Sequence, residues 1–235
     1  MSARSLARFV GAAIVAAAIP LVLPTQPASA ATCPDVEVIF ARGTSEPPGL
    51  GVTGTSFVES VRLLAVGRSV GSYAVNYQAS NNFNDPIALA GTVLDGIRDE
   101  QAHVEYMAAN CANTRLVLGG YSQGAALTGY ATMSGTPAAV PTEYAADWPA
   151  PLPPAVSNQV AAVVLFGKPS DRWLRDAGAP PAIVGPLYAG KNTELCIGGD
   201  TICDGSGVGQ PNALHGLYAF NGMALGAAGF VVSRL

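Results

Sequence analysis

The clearest chemical signal in this chain is a serine between two glycines, Gly120-Tyr121-Ser122-Gln123-Gly124. The G-x-S-x-G spacing suits a serine on a sharp strand-to-helix turn, where side chains two positions away would collide with neighbouring backbone. Alone the pattern is weak: with 27 glycines in 235 residues, chance gives roughly 0.2 such matches. Its setting says more. The nearly continuous apolar run Arg115-Leu116-Val117-Leu118-Gly119 precedes it, and the helix-like stretch Ala125 to Met133 follows.

A serine hydroxyl attacks poorly without an adjacent base. The chain holds two histidines. His103 lies inside a long helical stretch between charged and small residues and is expected to be solvated. His215 follows a loop rich in Gly, Asn and Pro, Asp204 to Asn212, from which a ring could project into a cleft; it is the expected base. The orienting carboxylate then falls between the two in the order Ser, acid, His. Glu143, Asp147, Asp171, Asp176, Glu194, Asp200 and Asp204 all qualify by position. Asp200 is favoured because it lies between Cys196 and Cys203, where a disulfide would hold it ready to accept the imidazole N–H. Asp204 is the second choice.

Four cysteines allow three pairings. Cys196 and Cys203, with Gly198-Gly199 between them, could readily close a small loop, which leaves Cys33 with Cys111. Metal binding is not expected, since no two cysteines have ligand spacing and no histidine accompanies them.

The elements that must position these residues are legible as alternating strands and helices. Strands are expected at Val36 to Ala41, Ser69 to Tyr77, Arg115 to Gly119, Val160 to Phe166 and Gly190 to Cys196. Helices are expected at Thr53 to Leu64, Pro86 to Ala109, Ala125 to Met133 and Ala213 to Leu235, the last packed on the sheet. Ser134 to Pro154 is rich in Pro and Ala and reads as a loop. Strands apolar on both faces, alternating with helices, imply a parallel sheet covered on both sides.

Residues 1–30 have the three parts of a secretory signal peptide. Arg4 and Arg8 are followed by an apolar run, then by Ala28-Ser29-Ala30 as a cleavage site. The run from Phe9 to Leu23 is about 15 residues, short of the roughly 20 that span a bilayer. Residues 31–235 then form one domain. Cleavage removes two cations and no acid, taking the net charge from −4 to −6. An acidic chain without a basic cluster is a poor partner for nucleic acid or anionic membranes. Only 12% of residues are charged, well below the usual quarter, which suits a neutral or greasy substrate.

Taken together, four pieces of this chain resemble the cutinase family of serine esterases, which includes acetylxylan esterases and cutinase-like proteins exported by mycobacteria. They are Ala41-Arg42-Gly43-Thr44-Ser45-Glu46, Gly119-Gly120-Tyr121-Ser122-Gln123-Gly124-Ala125-Ala126, Cys196-Ile197-Gly198-Gly199-Asp200-Thr201-Ile202-Cys203, and His215. The resemblance implies an α/β-hydrolase-type three-layer sandwich: a five-stranded parallel sheet, helices on both faces, and a shallow site without a lid. It implies the disulfides Cys33–Cys111 and Cys196–Cys203 and the triad Ser122, Asp200 and His215. It also implies an oxyanion hole from the Gln123 N–H and from the N–H and hydroxyl of Thr44. Relatives often carry serine where this chain has Thr44, and the hydroxyl is kept. An asparagine steadying that hydroxyl is implied too, with Asn82 and Asn84 both open.

Two segments depart from the compact family pattern, Ser134 to Pro154 and Asp204 to Leu214, and either could alter the rim of the site. The implied reaction is hydrolysis of short to medium acyl esters through an acyl-Ser122 intermediate, without cofactor or metal. The alternatives are a phospholipase or thioesterase on longer chains, an acetylxylan-type deacetylase, or a non-catalytic envelope-associated binding protein. The expected partner is an ester, lipid-like or polyester. The mature chain is expected to act as a secreted monomer without a membrane span, either free or associated with the cell envelope.

Overall fold

The computed structural model describes residues 33–235; the expected signal peptide lies outside them. Five strands, β1 (Val36–Ala41), β2 (Val70–Ala74), β3 (Arg115–Tyr121), β4 (Val160–Phe166) and β5 (Asn192–Leu195), form one sheet in the order β2-β1-β3-β4-β5, parallel throughout. The helices are α1 (Gly51–Leu64), α2 (Pro86–Asn110), α3 (Gln123–Ala131), α4 (Asp171–Asp176), α5 (Pro186–Ala189) and α6 (Met223–Val232).

The three central strands are buried because both faces are covered, and their side chains divide by alternation. Val38, Phe40, Val117, Val164 and Phe166 join Phe57, Val58 and Val61 of α1 and Ala224, Ala227 and Val231 of α6 in one core. Ile39, Leu116, Leu118, Val163 and Leu165 join Ile97, Val104 and Met107 of α2 and Leu127 of α3 in the other. Phe57 meets Phe166 edge-on at 5.4 Å. Truncating either ring to alanine would cost about 3–5 kcal/mol. α2 starts where the sequence says it should: Asp85 accepts the Ala88 N–H at 3.0 Å, and Pro86 fills the first turn.

Two expectations need correction. The second strand ends at Ala74, three residues early, because the chain turns away to bring Tyr77 under Arg42. The last segment is two pieces, a 3₁₀ turn at Ala213–Gly216 and then α6, separated by Gly222 at φ 86°. Ser134 to Pro154 is anchored by its aromatic residue on the α2–α3 side of the sheet. Trp148 packs edge-on to Tyr130, two turns down α3 from Ser122, and Asp147 O accepts from Arg98 of α2 at 2.6 Å. That segment covers the α2–α3 face.

β1 has neighbours on both sides, with the chain passing to β2 one way and to β3 the other. Ligand crevices of open parallel sheets form outside the carboxyl ends of strands at such a switch point. Ala41 and Gly120 pair there, side by side.

Candidate active site

At the end of β3 the chain turns straight into α3, and Ser122 stands on the corner at φ 54°, ψ −118°. A non-glycine residue at positive φ costs of order 1–3 kcal/mol and persists only where its surroundings enforce it. The surroundings are explicit. A methyl group at Gly124 would lie 2.1 Å from Ala41 O, and one at Gly120 would lie 2.2 Å from Gly124 O. Both flanking glycines are therefore required by contact distance. Ser122 occupies the cap position of α3, yet its hydroxyl makes no capping bond to the helix. A serine there ordinarily accepts a helix N–H; this one is left for other work.

That hydroxyl lies 2.8 Å from His215 Nε2, and His215 Nδ1 lies 2.8 Å from Asp200 Oδ2 and 3.1 Å from Oδ1. Since an ionised carboxylate only accepts, the imidazole proton sits on Nδ1 and the Nε2 lone pair faces the serine. The 3₁₀ turn holding His215 is tied to the loop holding Asp200 by Asn212. Its side chain accepts the Leu214 N–H at 3.1 Å and donates to Gly199 O at 2.7 Å. Asp200 heads a tight turn closed by the Cys196–Cys203 disulfide, with its own carbonyl accepting from the Cys203 and Asp204 N–H groups. Cys33–Cys111 is the other disulfide, as expected. Asp204 points elsewhere: it is exposed, its carboxylate accepts the Ser206 N–H at 2.9 Å, and bonds to Ser206 hold its pKa below the usual range.

Across the switch point, the Arg42-to-Glu46 turn supplies Thr44. Arg42 is buried and donates to Glu46 O at 2.8 Å and to Tyr77 O at 2.6 Å, while the Tyr77 hydroxyl donates back to Arg42 O. The Glu46 carboxylate accepts the Gly43 N–H at 2.6 Å and, at the start of α1, the Val52 N–H at 2.8 Å. Ser45 (φ 62°) donates its N–H to the carbonyl of Ala79 (φ 50°) at 2.8 Å. With Ser122, all three non-glycine residues of positive φ among the described residues gather at this crevice. The Thr44 and Gln123 N–H groups have no partner among the described residues. The Gln123 side chain donates to Ser80 O at 3.0 Å, joining α3 to the loop before α2. Asn82 and Asn84 lie in that loop, both exposed, and neither side chain hydrogen-bonds Thr44.

Sequence reasoning missed several supports. Tyr218 donates to Asp200 Oδ2 at 2.6 Å, and Tyr121 donates to the His215 carbonyl at 2.6 Å. Burial pushes both phenols well above their usual range. Tyr121 could have been suspected from its place inside the serine motif and Arg42 from its place in the Thr44 motif; nothing local marks Tyr218 or Asn212. His103 is partly buried rather than freely solvated. Its Nε2 lies 2.6 Å from Glu37 Oε1 and its ring stacks on Tyr73 at 3.6 Å, at the far end of the sheet from Ser122.

The cutinase family model matches residues 32–235 of this chain. A probable carboxylesterase of Mycobacterium tuberculosis, Culp7, is 52% identical over 168 residues, 72% of this chain and 86% of its own length. The phospholipase Culp4 of the same organism is 42% identical over 100% of this chain and 93% of its own. Among solved structures, Trichoderma reesei cutinase bound to a phosphonate inhibitor superposes with a TM-score of 0.62 at 31% identity, covering 86% of this chain and 77% of that one. An ester substrate fits this family, and no helix of the described residues is long and apolar enough to cross a membrane. The chain thus belongs to the cutinase family and is a carboxylic-ester hydrolase.

Proposed function

We propose that Ser122, His215 and Asp200 are the catalytic triad, that the Thr44 and Gln123 N–H groups form the oxyanion hole, and that short to medium acyl esters are the substrates. The observation that carries this is the unbroken series from Ser122 Oγ through both ring nitrogens of His215 to Asp200, each step 2.8 Å. As Oγ attacks the ester carbonyl, Nε2 takes its proton, and the carbonyl oxygen becomes an oxyanion facing the two amides. When the intermediate collapses, the ester C–O bond breaks and the imidazolium delivers its proton to the departing alcohol. Water then attacks acyl-Ser122, giving one proton to Nε2; release of the acid returns that proton to Oγ. An oxyanion donor of this kind contributes about 3 kcal/mol in the transition state.

Acyl-chain contact is supported by exposed apolar side chains beside this machinery. Leu217 lies two residues past His215, and Phe83 lies in the loop that receives the Gln123 side chain. Initial rates on p-nitrophenyl esters of increasing chain length, beside phospholipid and acetylated xylan, test the substrate. A maximum at butyrate to octanoate is expected. Preferred cleavage of long-chain phospholipid would favour the activity in Culp4's name, and preferred xylan deacetylation would favour a carbohydrate esterase. Export is part of the same reading, supported by two disulfides, which persist in oxidising compartments. A secreted monomer beginning at Ala31 is expected on N-terminal sequencing of culture medium and on gel filtration.

A further inference from the structure

Asp200 is fully buried, and a carboxylate so placed keeps its charge only if donors face its oxygens. The Ile202 N–H donates to Oδ1 at 3.0 Å and His215 Nδ1 approaches Oδ2 at 2.8 Å; both belong to the ordinary equipment of an acid–histidine pair. The third donor is the Tyr218 hydroxyl, at 2.6 Å from Oδ2. Its oxygen also accepts the Ile197 N–H at 3.2 Å, which leaves its single proton directed at Asp200. The ring is fully buried, tilted against Tyr121 at 5.8 Å and edge-on to Phe166 at 6.2 Å, so the hydroxyl is fixed by packing.

We infer that Tyr218 is a positioning residue for ester hydrolysis, holding Asp200 against His215 and drawing off part of the carboxylate's charge so that the pair holds protons less tightly. The inference rests on the triad reading above. Without the hydroxyl, two effects act in the same direction. A bare Oδ2 binds its own proton more readily, and a more concentrated charge holds the imidazolium more tightly. Either one raises the pH at which Nε2 becomes free to take the serine proton. A tyrosine that merely filled space would leave that pH unchanged. Tyr121 is the natural comparison, because its hydroxyl binds the His215 backbone carbonyl and never touches the charged pair.

The test is Tyr218→Phe beside Tyr121→Phe and wild type in the full mature chain. It measures kcat and KM on p-nitrophenyl butyrate from pH 5 to 9, melting temperature, and the low-field proton resonance of His215 Nδ1–H. Phenylalanine keeps the ring contacts, so Tyr218→Phe is expected to fold and to keep its KM. Its kcat should fall about tenfold, as for a lost hydrogen bond to a charged group. The acid limb of kcat/KM should move up by about half a pH unit or more, and the Nδ1–H signal should move further downfield. Wild-type kcat and an unmoved limb in Tyr218→Phe would overturn the inference alone. So would an equal limb shift in Tyr121→Phe, since that would trace to loosening of the turn. A wild-type enzyme without esterase activity, or with an unreactive Ser122, would overturn the triad reading and this inference with it.

Discussion

His215 and His103 each set a ring nitrogen against a buried carboxylate and rest beside tyrosine rings. His215 pairs with Asp200 at 2.8 Å beside Tyr121, and His103 pairs with Glu37 at 2.6 Å under Tyr73. The difference lies at the other nitrogen. His215 Nε2 meets a hydroxyl on a strained corner, whereas His103 Nδ1 has no partner among the described residues. Position follows topology. Glu37 stands four residues before Ala41 on β1, roughly 13 Å from the carboxyl end of the sheet, where the crevice opens. An imidazole–carboxylate pair therefore occurs at two places in this protein; on the proposed reading, its position at the switch point, beside Ser122 and two free amides, is what gives one of them chemistry.

The most severe way to probe this contrast is to remove each histidine. Ser122→Ala and His215→Ala should each lower kcat by roughly 10⁵–10⁶-fold with the fold retained, as for triad members that act as a unit. His103→Ala should keep turnover within about threefold. It should lower the melting temperature, because Glu37 is left buried without its partner at a cost of about 1–3 kcal/mol. A hundredfold loss of turnover in His103→Ala, with the fold intact, would break the contrast.

Asp200→Asn should cost roughly 10⁴-fold in kcat through loss of tautomer control, while Asp204→Asn should stay within severalfold of wild type. Reversed effects would transfer the orienting role to Asp204. The two disulfides should separate in a parallel way. Cys33–Cys111 spans 78 residues and Cys196–Cys203 spans 7. On the chain-entropy model these contribute about 4.5 and about 2.5 kcal/mol. Replacing Cys33 and Cys111 by alanine should chiefly lower melting temperature, and replacing Cys196 and Cys203 should chiefly lower turnover. Full turnover in the second variant would show that the small loop does not position Asp200.

The smallest expected effect concerns a buried carboxyl outside the proposed triad. Glu100 of α2 is fully buried, with Oε2 3.0 Å from Thr128 Oγ1, which in turn lies 3.1 Å from Gly119 O of β3. Oε1 has no partner among the described residues, and burial pushes the group from an ordinary 4.5 up to about 8. A protonated Glu100 donating to Thr128, which donates to Gly119, suits this geometry. The raised folded-state value means that the folded form binds more protons between pH 4.5 and about 8. Stability from this group is thus complete below that window and is lost as pH rises through it. Glu100→Gln mimics the protonated form, so its melting temperature relative to wild type should rise from pH 5 to pH 8. A constant difference across that range would mean Glu100 carries no such linkage.

Much of this was legible in the sequence because the signals are local. β3 and β4 announce themselves as apolar runs, and Gly120 and Gly124 mark the corner because a methyl group at either would strike backbone. What stayed hidden depends on partners distant in sequence. Tyr218 reads as one aromatic among eight tyrosines until Asp200 is seen 2.6 Å away, and the buried side of His103 appears only when β2 brings Tyr73 over it. The Thr44 turn is half legible. Its motif is visible, but the Arg42, Glu46 and Tyr77 bonds that set its shape reach across 3 to 35 positions. The break before α6 falls at Asn221-Gly222, a turn-forming pair inside a largely apolar segment that otherwise reads as one helix.

The central claim, that Ser122 is the nucleophile and His215 alone activates it, is tested most directly by covalent labelling with a fluorophosphonate. Wild type, His103→Ala and His215→Ala would be labelled while folded, then compared by intact mass and peptide mapping. One adduct on the peptide containing Ser122 is expected, forming at similar rates in wild type and His103→Ala and hardly at all in His215→Ala. A rapid adduct on any other residue, or labelling of Ser122 that persists at the wild-type rate without His215, would contradict the account.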